Sequence, residues 1–153
     1  MRAVVQRVRS ASVTIDGEIV GSIGAGLLVL AGAKSEDAPT DVDWLAGKIV
    51  NLRLFRDEAA SSGALDLSVR ESGGGILLVS QFTLFASTRK GTRPSWHRAA
   101  KPEVARPLYE GLITSLTDAL GRPIQTGRFG AMMDVALVND GPITLILDTK
   151  SRE

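Results

Sequence analysis

The sequence predicts a mixed α/β fold with more strand than helix, carried on a single domain spanning residues 1–153. Three observations point there. The chain has the length of one ordinary domain and shows neither a linker nor an internal repeat. Its first third alternates short β-rich runs with glycine turns. Two later segments carry apolar residues at helical spacing. With 44% hydrophobic and 23% charged residues, the composition is that of a globular chain able to bury its own core.

Met1 to Val8 and Ser12 to Ile15 are two short β-rich runs. Asp16-Gly17 separates Val13-Thr14-Ile15 from Glu18-Ile19-Val20, a two-residue hairpin signal because glycine tolerates positive φ. Gly24-Ala25-Gly26 turns the chain into Leu27-Leu28-Val29-Leu30-Ala31, the unbroken apolar run of a strand buried on both faces. The period then changes. Val42, Leu45, Ala46, Ile49 and Val50 recur at helical intervals after a start at Pro39-Thr40-Asp41. Strand structure resumes over Leu52 to Phe55. Gly73-Gly74-Gly75 marks a loop or bulge, and Ile76 to Leu84 is the longest β-like run. A second helix is expected over Pro102 to Leu120, with Ala105, Leu108, Tyr109, Leu112, Leu116 and Ala119 on one stripe and Gly121 as its C-terminal cap. Pro107 lacks an N–H, which moves the expected helix start toward Arg106. Val135 to Val138 and Ile143 to Leu147 are the last strands, flanking Asn139-Asp140-Gly141-Pro142.

Composition excludes several chemistries. Without cysteine there is no disulfide, no thiolate catalysis and no cysteine-ligated metal, which suits a reducing cytosol. The opening Met1-Arg2-Ala3-Val4-Val5-Gln6-Arg7 meets charge too early for a signal peptide, and no apolar run spans a bilayer. The expectation is a soluble cytoplasmic protein. Net charge is +1, yet Arg89 to Arg106 holds six basic residues (Arg89, Lys90, Arg93, Arg98, Lys101, Arg106) against one acid, Glu103. That segment fits either phosphate-backbone contact or a solvated loop.

Ordinary catalytic equipment is scarce. His97 is the only histidine, no G-x-S-x-G elbow occurs, and one histidine without cysteine makes a metal site improbable. The glycines of Gly21-Ser22-Ile23-Gly24-Ala25-Gly26 have the wrong order for a dinucleotide loop. Ser80-Gln81-Phe82-Thr83-Leu84 is different, because Ser80, Gln81 and Thr83 put three uncharged polar side chains late in an apolar run. Such residues mark either a strand emerging into solvent or a site where something hydrogen-bonds to them. Asn139-Asp140-Gly141-Pro142 taken alone is a plain hairpin turn.

In order along the chain, these segments resemble the D-aminoacyl-tRNA deacylase (D-tyrosyl-tRNA deacylase) family over essentially the full length. Gln6-Arg7-Val8 with Ala11-Ser12-Val13 is similar to the family's opening strand and turn, and Gly26-Leu27-Leu28-Val29-Leu30 follows in place. Ser80-Gln81-Phe82-Thr83-Leu84 matches the first signature, with Arg93-Pro94-Ser95 beyond it. Gln125-Thr126-Gly127-Arg128-Phe129 precedes the second signature, Asn139-Asp140-Gly141-Pro142-Ile143-Thr144. Ile143 replaces the usual Val, Pro107 interrupts a helix that is usually proline-free, and Trp96-His97 falls where members vary.

The resemblance implies mostly antiparallel sheets in a barrel-like, layered β-β-α sandwich with two main helices. It implies an ester hydrolase that releases D-amino acid and tRNA from D-aminoacyl-tRNA, and also cleaves glycyl-tRNA mischarged on tRNA-Ala. No cofactor and no metal are called for. The partners are aminoacyl-tRNA and a second copy of the chain, a homodimer with its active site at the subunit interface. A Gly141-Pro142 bond in cis, inserted from the partner, would capture the α-ammonium with its carbonyls and exclude an L side chain. Asn139 and Arg7 would join Gly141 and Pro142 in binding substrate, with Arg7 bracing the loop. Ser80, Gln81, Phe82 and Thr83 would form the catalytic segment. Thr83 is its candidate nucleophile, unless the ribose 2′-hydroxyl activates water instead. Arg89, Lys90, Arg93 and Arg98 would contact tRNA.

Overall fold

A computed structural model describes residues 1–59 and 63–152. The chain is mixed α/β, built on a strongly curved sheet with two helices on one face. β1 (Arg2–Ile15) is its spine. One edge of β1 pairs antiparallel with β2 (Glu18–Ile23) over residues 11–15 and with β3 (Gly26–Gly32) over residues 2–8. Its other edge pairs along nearly the whole length with β8 (Asp134–Asp148). β3 is followed in the sheet by β6 (Gly75–Ser80) and β7 (Gln125–Thr126), both parallel. β4 (Arg53–Arg56) and β5 (Leu65–Ser68) make a separate antiparallel pair.

The two expected N-terminal runs are one strand, because β8 bridges the gap between them with pairs at Ser10 and Ala11. The Asp16-Gly17 turn has φ of 50° and 82°, the doubly positive geometry that matches strand twist. β3 is buried on both faces. Leu27, Val29 and Ala31 join the core beneath the helices, while Leu28 joins a second cluster with Val8, Val13, Leu77 and Val79. Such two-sided burial suits a central strand, here flanked by antiparallel β1 and parallel β6.

α1 (Pro39–Asn51) starts where the Asp41 carboxylate accepts the Ala38 N–H at 2.9 Å, and buries Val42, Leu45, Ala46, Ile49 and Val50. α2 (Pro102–Leu120) buries Leu108, Tyr109, Leu112, Leu116 and Leu120. It begins at Pro102, not near Arg106. Pro107 sits in the second turn, where its missing bond frees only the carbonyl of exposed Glu103. Two other expectations are corrected at functionally important places. The long β-like run stops at Ser80 and does not reach Leu84. The last two strands are a single β8, so Asn139 to Pro142 is not a hairpin turn.

Candidate functional site at the end of the sixth strand and in the eighth

β6 ends because its neighbour ends. The Gln81 N–H donates to the Ala31 carbonyl at 2.7 Å, the last ladder bond before β3 leaves the sheet. Gly32 lies so close that an added Cβ would sit 2.6 Å from the Gln81 carbonyl oxygen. Only glycine fits there. The chain then coils into a 3₁₀ turn, Phe82–Phe85. This turn buries Phe85 and leaves Phe82 53% exposed. Arg2 locks it from below, donating to the Leu84 carbonyl at 2.9 Å and to Asp148 at 2.8 and 3.0 Å.

A cavity of about 300 Å³ opens beside this turn. Ser80, Gln81 and Phe82 form one wall; Ala31, Gly32, Ala105, Tyr109 and Phe129 supply apolar surface opposite. The Tyr109 hydroxyl donates to the Leu78 carbonyl at 3.0 Å, and burial pushes its phenol up to about 12, so it stays neutral. Phe129 packs at 5.7 Å from Tyr109, and the Arg106 guanidinium lies 4.8 Å over its ring. Thr83 is joined to this wall through Gln81, whose Nε2 donates to Thr83 Oγ1. A donor amide cannot take the hydroxyl proton. Among the described residues no carboxylate bonds to Thr83, and His97 Nδ1 is occupied with Ser95 Oγ at 2.8 Å.

The second signature lies elsewhere. Between Gln6↔Thr144 and Val8↔Asn139, β1 contributes Arg7 alone while β8 contributes four residues, Asp140 to Ile143. Those four residues bulge out of the sheet, and the Gly141-Pro142 bond within them is cis. Asn139 Nδ2 stitches the base, donating to the Arg7 carbonyl at 2.9 Å and the Ile143 carbonyl at 3.2 Å. Arg7 is buried. One guanidinium NH₂ bonds the Leu54 carbonyl, and Nε faces Asp140 Oδ2 at 2.9 Å, paired by charge and not by an aligned hydrogen bond. A cavity of about 950 Å³ adjoins the bulge, lined by Arg7, Asp140, Gly141, Arg56, Glu58 and Glu71 among others.

The structure therefore brings Ser80, Gln81, Phe82 and Thr83 together, and separately Arg7, Asn139, Gly141 and Pro142. It does not join the two groups within one chain. Gln81 sits level with the Arg2–Gly32 pair, the bulge level with Arg7, so the two lie roughly 17 Å apart at one strand rise per residue. Arg89, Lys90 and Arg93 are exposed on a loop whose neck is an isolated bridge, Ser87↔Ser95, and Arg98 is exposed just beyond it. Arg2 and Tyr109 go unnoticed as site residues in the sequence, because Arg2's partners are 82 and 146 positions away and Tyr109 falls on an ordinary helix stripe.

Comparison with known proteins gives the family. The family model described as D-Tyr-tRNA(Tyr) deacylase matches residues 4–148. The D-aminoacyl-tRNA deacylases of Dechloromonas aromatica and Opitutus terrae are 59% and 58% identical over 153 residues, covering all of both chains. A solved structure titled c-Myc DNA Unwinding Element Binding Protein superposes with TM-score 0.89 at 43% identity, over 97% of this chain and 98% of its own. A probable eukaryotic D-amino acid tRNA deacylase, at 17% identity and covering 95% and 97%, shares the fold with TM-score 0.82. By full-length likeness in sequence and fold, this chain belongs to the D-Tyr-tRNA(Tyr) deacylase family and is a hydrolase of that type.

Proposed function

We propose that this protein hydrolyses the ester of D-aminoacyl-tRNA, with each site assembled from two copies of the chain. The carrying observation is the separation of Gln81 from the Gly141-Pro142 bulge along β1. Two halves so far apart meet only if the bulge of one subunit enters the cavity of another, as a two-fold arrangement permits. The terminal adenosine fits the apolar cavity beside Phe82 and Tyr109. The ester carbonyl then lies at the 3₁₀ turn, where the Phe82 or Thr83 N–H is the oxyanion donor.

Handedness is judged by main chain. Carbonyls of the bulge capture the α-ammonium, and the rigid loop leaves no room for an L side chain. Rejection of this kind tolerates many D side chains and also glycine, so glycyl-tRNA mischarged on tRNA-Ala is a substrate. Chemistry rests on water activated by the ribose 2′-hydroxyl, because Gln81 holds Thr83 as an acceptor and, among the described residues, no carboxylate or imidazole bonds to it. The exposed arginines and lysine of the 87–95 loop and its flank hold the acceptor stem, and the enzyme works in the cytoplasm. No described helix is long and apolar enough to cross a membrane.

The test is cleavage of matched D- and L-aminoacyl-tRNA by pure protein. Cleavage of the D ester alone is expected. Salt-sensitive binding with no cleavage would mark an RNA-binding module instead, and affinity only for free D-amino acid a ligand-binding regulator. The two-chain site has its own test, a purified heterodimer of Gln81→Ala with Pro142→Ala. One of its two sites is intact if the bulge acts across subunits, so about half of wild-type turnover returns. A site confined to one chain gives none.

A further inference from the structure

Phe82 faces two ways. One side closes the 300 Å³ cavity; the other meets the indole of Trp96, with ring centroids 5.4 Å apart and planes at 72°. Both rings are unusually open for aromatic residues, Trp96 being 44% exposed. Trp96 is not adrift. The Ser87↔Ser95 bridge fixes the residue before it, the Ala99 N–H donates to its carbonyl at 3.0 Å, and the Ala100 N–H ties the segment to Ala33 of the cavity wall at 2.9 Å. Around it stand exposed Arg93 and Arg98, with no acidic residue from Arg89 to Pro102.

A held, half-exposed aromatic in a positive field is the platform on which single-stranded nucleic acid stacks its bases. A duplex offers no free base face, and an apolar peptide gains nothing from the basic residues beside Trp96. We propose that Trp96 stacks the unpaired nucleobase immediately preceding the terminal adenosine of the substrate's 3′ end. Phe82 is the partition between the two nucleosides. This assignment rests on the deacylase reading above, and it adds a recognition element outside the cavity. Binding at Trp96 is worth nothing to a substrate consisting of the terminal nucleoside alone.

That difference supplies the experiment. Steady-state cleavage is measured for Trp96→Ala and Trp96→Phe on D-aminoacyl-tRNA and on the D-aminoacyl ester of adenosine. Trp96→Ala raises KM for the tRNA about tenfold, several times more than for the nucleoside ester, with little change in kcat; Trp96→Phe recovers most of the loss. In a Trp44→Phe background Trp96 is the sole tryptophan. Its fluorescence is quenched by an oligonucleotide ending in CCA and not by adenosine monophosphate. Equal loss on both substrates makes Trp96 a prop for Phe82 and overturns the proposal, as does no loss on either. Wild-type protein inert on both D esters would sink the deacylase reading itself, a result distinguishable from either.

Discussion

At Gln81 the chain is held by the end of a buried strand, a glycine without space for a side chain, and an arginine clamped from beneath. At Gly141 it is held by the Asn139 amide, which donates to the Arg7 carbonyl of β1, and by the ion pair of Arg7 with the Asp140 carboxylate, while Gly141 and Pro142 themselves stand in solvent. The first region presents side chains around a small apolar cavity. The second presents main chain and no reactive side group. Under the proposed function the first grips the nucleoside and the second judges shape. Neither is complete alone.

The sharpest way to break this contrast is at Gln81. Gln81→Ala removes a wall of the cavity and the donor to Thr83, and lowers kcat/KM on D-aminoacyl-tRNA about 100-fold with an unchanged melting temperature. Arg7→Ala strikes the second region. It leaves the Leu54 carbonyl without its buried donor and frees the bulge, costing about 2 kcal/mol in denaturant unfolding and about tenfold in discrimination between D and L esters. Discrimination should survive Gln81→Ala and fail here. If both variants lose it equally, the division of labour is wrong.

Smaller effects sharpen the picture. Arg93→Ala weakens tRNA binding a few-fold and lowers the slope of log affinity against log salt by about 1, leaving stability alone. Thr83→Ala keeps single-turnover hydrolysis within about threefold of wild type, since a covalent role would cost orders of magnitude more. Asp41 is a control that belongs to neither region. Burial works to raise its carboxyl, but the Lys150 ammonium and the Ala38 N–H outweigh this and hold it at about 2, below the ordinary 3.8. A depressed carboxylate stabilises the fold above its unfolded pKa and loses that contribution as pH falls through the folded one. Asp41→Asn therefore costs roughly 2 kcal/mol at neutral pH and little near pH 2, with no change in D/L selectivity.

Much of this fold is legible locally. The Asp16-Gly17 turn, the doubly buried Leu27–Ala31 run and the α1 stripe each follow from spacing and turn chemistry that a window of ten residues contains. What misleads is tertiary. Phe82, Thr83 and Leu84 have the composition of a strand, yet the neighbouring strand has left and nothing remains to pair with them. Val135 to Val138 and Ile143 to Leu147 look like a hairpin around Asn139-Asp140-Gly141-Pro142. Both halves nevertheless run along β1, a partner more than 120 positions away. The candidate residues of the site were recognisable as two clusters, but their separation was not, because it depends on which β1 residue each cluster stands beside.

The bulge also limits how this protein can change. Because β8 resumes pairing on both sides of it, the loop has no hinge, and its four residues are counted against a single Arg7. A slip of the flanking strand by one place would turn Leu145 and Leu147 from the core toward water. The hydrophobic interior thus fixes where that excursion leaves the sheet and where it rejoins.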